Sequence, residues 1–113
     1  MKEEIINLLD RYGDTAITAV KNKIKNANGE HTYGLFNKDG SEMNVFLADE
    51  VSENFIQTIQ ELFDEGIIRM KVCNFLIHSF DGGDLYSEKI AKPNKTYKSL
   101  RWLPITIELN EKN

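Results

Sequence analysis

The sequence predicts an α+β fold: two N-terminal helices, a β-hairpin, a third helix and then two long strands in a mainly antiparallel sheet. Three observations lead there. Apolar residues recur at helical spacing in the first and middle parts of the chain, they alternate with polar ones in the second half, and an Asp-Gly pair separates two apolar runs.

Residues 3–12 read as a helix. Ile5, Leu8, Leu9 and Tyr12 fall on one face with Ile6 at its edge, Glu3 and Glu4 favour the dipole in the first turn, and Gly13 supplies a left-handed stop. Asp14 is the expected N-cap of a second helix reaching about Asn26, with Ile17, Val20 and Ile24 inward. Its β-branched residues and the Asn28-Gly29 turn signal leave a strand-hairpin open as the other reading. "HTYGLF" and "EMNVFL" flank "NKDGS", a hairpin signal because Gly takes the positive φ of the turn.

A third helix follows, capped by Ser52, with Phe55, Ile59, Leu62 and Phe63 as its apolar stripe. Val51 is placed to staple onto Ile56, and Gly66 ends the helix. In "IIRMKVCNFLIHSF" the residues Ile68, Met70, Val72 and Leu76 alternate with Arg69, Lys71 and Cys73, which predicts one long strand. "DGGD" turns the chain, and "LRWLPITIEL" is the last strand, with Leu103, Ile105, Ile107 and Leu109 on one face. Pro104 lacks an N–H, so that strand is expected at an edge or bulge. Trp102 lies on the face opposite Leu103 and is expected to cover a second small core; Tyr97 is expected to be exposed.

At 113 residues the chain is read as a single domain, 1–113, large enough to bury a core without staples. Its 41% hydrophobic and 28% charged residues are ordinary for a globular protein. "MKEEIINLLD" carries carboxylates where a secretion signal needs positive charge, and Cys73 is the sole cysteine. A cytoplasmic location is therefore expected, with no membrane contact. Lys outnumbers Arg 11 to 3, a skew that suggests an AT-rich coding sequence, hence a low-GC bacterium or phage.

A catalytic or metal centre needs several reactive or ligating groups together, and the chain has none of the HExxH, CxxC or GxSxG patterns. Cys73 and His78, five residues apart on one predicted strand, would lie on opposite faces. His78, Asp81 and Asp84 in "HSFDGGD" could converge on a metal, but Asp and Gly are also what a turn requires. The expectation is no enzyme, no catalytic residue, no cofactor and no metal.

Charge distribution is the informative feature. Net charge is −4, yet "KIAKPNKTYKSLR" places Lys89, Lys92, Lys95, Lys98 and Arg101 at every third residue. Pro93 excludes a continuous helix there. A polyproline-like path would align the five charges along one edge, roughly 9 Å apart. The third helix is the opposite pole, with Glu53, Glu61, Asp64 and Glu65 directed outward and no Lys or Arg.

The order helix, strand, long basic loop, strand from Ser52 to Leu109 loosely resembles the second half of a winged-helix DNA-binding domain, and "FIQTIQELFDEGIIRMK" is similar to the run from recognition helix into wing. The resemblance covers about half the chain. It implies nucleic-acid binding through the basic loop 89–101, with Asn54 and Gln57 as the adenine contacts. An acidic helix repels phosphate, however. The leading expectation is thus a non-enzymatic binding protein acting on a protein partner through the acidic helix and the basic loop: an inhibitor, immunity or accessory protein. A homodimer joining the two surfaces is compatible with the same pattern.

Overall fold

The computed structural model describes residues 1–110. They form α1 (Lys2–Tyr12), β1 (Thr15–Ala16), α2 (Ile17–Lys23), β2 (Asn28–Phe36), β3 (Glu42–Val51), α3 (Glu53–Asp64), β4 (Ile68–Val72), α4 (Leu76–Phe80), β5 (Arg101–Trp102) and β6 (Ile105–Leu109). The α+β expectation holds, but the strands divide between two sheets, ordered β1-β6-β4 and β2-β3-β5. All pairs are antiparallel except β3 with β5.

Three elements form as local chemistry dictates. Gly13 and Gly66, with φ of 74° and 73°, terminate α1 and α3. The Ser52 hydroxyl accepts the Phe55 N–H at 3.1 Å, capping α3, whose Phe55, Ile59 and Leu62 are buried. In the β2–β3 turn the Asp39 carboxylate accepts both the Ser41 N–H (2.9 Å) and its hydroxyl (2.7 Å), and these bonds hold the carboxyl below its usual range.

Three expectations need correction. Asp14 does not cap the second helix: Thr15 and Ala16 pair with Ile107 and Thr106 of β6, so α2 starts only at Ile17. The cap is supplied from afar, as Ala16 N–H donates to the Asp81 carboxylate at 2.7 Å. The long strand from Ile68 stops at Val72, because Asn74 accepts the Leu76 N–H on its side chain (3.0 Å) and starts α4. The last strand is broken at Leu103-Pro104: β5 joins β3 in one sheet and β6 becomes the central strand of the other. Pro104 marks this change of sheet, and its carbonyl accepts the Cys73 N–H at 3.1 Å.

The main core draws Ile5 and Leu9 from α1, Ile17 and Val20 from α2, Val45 and Leu47 from β3, the α3 stripe, and Leu103, Ile105 and Ile107. Alternation sends Phe46 and Trp102 the other way. They meet Tyr86 and His78 in a smaller aromatic cluster, with edge-to-face ring centroids 5.0–5.2 Å apart. Trp102 is thus buried in a second core, as its register predicts.

The winged-helix likeness departs at both ends. Strand β3 runs directly into Ser52 and α3, leaving no room for a preceding helix-turn. Strands β4 and β6 do pair, but their connection contains α4 and β5 rather than a simple wing loop.

Candidate functional site

Burial of Phe55, Ile59 and Leu62 turns Glu53, Glu61, Asp64 and Glu65 outward, and all four are exposed. Lys2 of α1 lies 2.7 Å from Glu65 and 3.5 Å from Glu61; the Glu65 contact chiefly raises the pKa of the ammonium. Asp64 accepts from the Gln60 amide at 2.9 Å. Asn54 and Gln57 are exposed on the same helix. Any nucleic acid reaching them would meet this anionic surface first.

The basic segment is irregular, and its frame is Tyr97. The Tyr97 N–H donates to the Met43 carbonyl (2.9 Å), while the Asn44 side chain donates to the Tyr97 carbonyl (2.8 Å), tying the loop to β3. The phenol oxygen accepts the Lys92 N–H at 2.8 Å, and the Arg101 guanidinium stacks 4.5 Å from the ring centroid. Tyr97 is accordingly half-buried, not exposed.

Upstream, Trp102 N–H donates to the Lys89 carbonyl (2.9 Å) and Ala91 N–H to the Trp102 carbonyl (2.7 Å). Lys89, Lys92, Lys95 and Lys98 are exposed and Arg101 half-buried. Among the described residues none of the five makes an ion pair. The single polyproline edge does not form. The chain turns at Pro93-Asn94, where Asn94 has φ 61°, and bends again at Lys98-Ser99.

Between the two sheets and α4 lies a buried polar network. Lys21, 1% exposed, is ion-paired with Asp84 and donates to the Asp49 carbonyl at 3.3 Å. Burial raises the Asp84 pKa, but Lys21, Asn22 (3.1 Å) and Tyr86 together outweigh it and hold the carboxyl below 3.8. The Tyr86 phenol accepts the Asp49 N–H at 2.9 Å; burial, more than the carboxylates around it, keeps the phenol neutral.

Thr18 joins this network to His78, its oxygen 2.9 Å from the Asp84 N–H and 2.7 Å from His78 Nδ1. Burial lowers the His78 pKa below 6.5, partly offset by the Ile105 carbonyl, Asp81 and Asp84. Its Nε2 has no well-formed hydrogen bond among the described residues.

His78, Asp81 and Asp84 therefore face three different partners: Thr18, the Ala16 N–H and Lys21. Among the described residues no three His, Cys, Asp or Glu side chains gather as metal ligands. Cys73 is not on a strand with His78 but lies between β4 and α4; burial, then Asp14 and Asp81, push its thiol up to about 11, so it stays protonated.

Helix α4 is inverted in polarity. It buries His78 and leaves Leu76, Ile77 and Phe80 in solvent, Phe80 at 86% exposure. On a helical wheel these three fall within about 100° of one another, opposite His78. With Phe75, Leu85 and Ile90 also exposed, an apolar surface adjoins the basic segment. Reading the stretch as a strand hid this surface. Lys21 was legible: it occupies the inward stripe of Ile17, Val20 and Ile24, an unusual place for an ammonium.

No known protein family matches the chain, and no curated protein or solved structure is detectably similar to it.

The chemistry follows from the residues themselves. In the interior Lys21 and Asp84 pair with each other, whereas the carboxylates of α3, the lysines of 89–98 and the apolar side of α4 face outward. Among the described residues, no helix is long and apolar enough to cross a membrane.

Proposed function

We propose that the protein is a small non-enzymatic cytosolic binding protein that acts through a protein partner, as an inhibitor, immunity or accessory protein of a low-GC bacterium or phage. One observation carries this reading: two surfaces of opposite charge stand on separate elements and do not neutralise each other. The carboxylates of α3 reach Lys2, not the loop, and the loop cations make no ion pair among the described residues. Surface charges that leave each other unneutralised select a partner and accelerate encounter with it. The commitment of Lys21, His78 and Cys73 to internal structure or to their neutral forms supports binding over catalysis.

Nucleic-acid binding is the second reading, favoured by the same five cations on a frame that holds Lys92 and Arg101 around Tyr97. Affinity capture from the native host, with and without nuclease, separates the two. The protein-partner reading expects a nuclease-resistant partner that is lost on Glu53→Lys with Asp64→Lys. Capture that vanishes after nuclease and in Lys92→Glu, Lys95→Glu, Lys98→Glu overturns it in favour of nucleic acid; for a duplex met by all five charges, the salt slope would be roughly −4 to −5.

A further inference from the structure

A groove of about 290 Å³ opens between the start of α4 and residues 85–90, walled by Phe75, Leu85, Ile90 and the buried indole of Trp102. Apolar atoms dominate its walls, and Lys89 and Glu88 stand on its rim. Two features distinguish it from an ordinary surface dimple. Its walls are fixed, because Ile90 forms a parallel bridge with Trp102 and both neighbours of Ile90 are hydrogen-bonded to the Trp102 backbone.

The segment that follows Ile90 in sequence is cationic. Lys92, Lys95 and Lys98 are exposed, and the opposing Glu88 carboxylate is held by the Ser87 hydroxyl at 3.3 Å. The exposed face of α4, Leu76, Ile77 and Phe80, continues the apolar area.

We infer that this groove seats an acidic segment of a partner protein that carries an apolar anchor. This inference rests on the protein-partner reading and names the partner's chemistry. The anchor side chain fills the space between Phe75, Leu85 and Ile90, and carboxylates next to it in the partner's sequence meet Lys89 and Lys92. A segment that is apolar and neutral leaves the cations unanswered; one that is acidic without an anchor leaves the groove empty. Central apolar anchors ringed by charge are where binding energy concentrates in protein interfaces.

The test uses the full chain labelled with ¹⁵N. It is titrated with a synthetic peptide of mixed Glu and Leu, the same peptide with Lys for Glu, a DNA duplex, and vesicles of anionic phospholipid. The acidic peptide is expected to shift the Trp102 indole N–H and the amides of residues 75–77 and 85–90 saturably. Its affinity is expected to fall at least about tenfold in Leu85→Ser with Ile90→Ser and in Lys89→Glu with Lys92→Glu. Both substitutions are on exposed side chains, and an unchanged urea midpoint establishes that each variant is folded. Shifts confined to the lysine segment, with the indole unmoved, overturn the inference, as does binding of the duplex or the vesicles in place of the peptide.

The parent reading fails differently. A nuclease-resistant host partner that is retained by Leu85→Ser, Ile90→Ser and lost with the α3 carboxylates sinks the groove and keeps the protein partner. Duplex binding without any host protein sinks both.

Discussion

The Thr18 hydroxyl lies 2.7 Å from Nδ1 of His78, and the same oxygen accepts the Asp84 backbone N–H at 2.9 Å. The Thr18 oxygen has two lone pairs and one proton, so whether it donates to His78 Nδ1 or accepts from it follows the tautomer of the ring. One hydroxyl therefore joins α2, α4 and the 81–84 turn.

Thr18→Val removes that bridge while keeping the shape of the side chain. It leaves Nδ1 of His78 and the Asp84 N–H unpaired, at a cost of about 1–3 kcal/mol each for groups without access to water. Urea unfolding is expected to show a loss of roughly 2–4 kcal/mol, with Thr18→Ser much closer to wild type.

Stability is expected to fall on acidification through His78. Burial depresses its folded-state pKa below the ordinary 6.5, so the unfolded chain takes up the proton first. The contribution is complete above pH 6.5 and declines as pH drops through 6.5 toward the folded value. Asp84 adds a second loss below about 3.8, because Lys21 holds its carboxyl under that value in the folded state. Urea midpoints measured from pH 7.5 to 5 should decline more steeply in wild type than in His78→Gln, whose amide cannot titrate.

Breaking the Lys21–Asp84 pair from one side is expected to be worse than replacing its buried member. Asp84→Asn strands an ammonium at 1% exposure. The expected loss is about 2–3 kcal/mol, below the 3–5 typical of fully buried pairs, because Asp84 is 33% exposed and water screens it. Lys21→Met fills the same space without a charge and should recover part of that difference in thermal unfolding.

Gly83→Ala probes the tightest packing around this network. A Cβ there would stand 2.2 Å from Thr18 Oγ1, 2.9 Å from the Ala19 nitrogen and 3.0 Å from the His78 carbonyl oxygen. Two of the three are backbone atoms that cannot rotate away. A destabilisation of about 1–3 kcal/mol is expected by urea unfolding, with the largest amide shifts at residues 18–19 and 78–84.

Much of the fold was legible where structure is decided locally. The Ser52 cap, the Asp39-Gly40 turn and the inner positions Ile5, Leu9, Phe55, Ile59 and Leu62 need only near neighbours and form as expected, whereas Tyr12 and Phe63, assigned to the same stripes, are 58% and 44% exposed. Legibility failed where a distant group decides. Thr15 and Ala16 leave the helix because β6 offers a ladder some ninety positions later, and the cap of α2 arrives from Asp81.

Asn74 was a local signal passed over, since an Asn ahead of "FLIH" can start a helix as readily as it can interrupt a strand. The outward carboxylates and lysines were read directly from composition. The apolar face of α4 was not, because alternation groups Leu76 with His78 on one face, whereas the helix sets them on opposite sides.

Strand β6 lies between β1 and β4, which leaves residues 15–16 and 68–72 without a ladder until residues 105–109 have been made. Vectorial synthesis thus delivers β6 after both of its neighbours, and the nascent chain carries their unmatched edges until then. Assembly of this protein is a closing event with a high sequence separation, Thr15 against Ile107, and its rate should be governed by that late encounter rather than by the early helices.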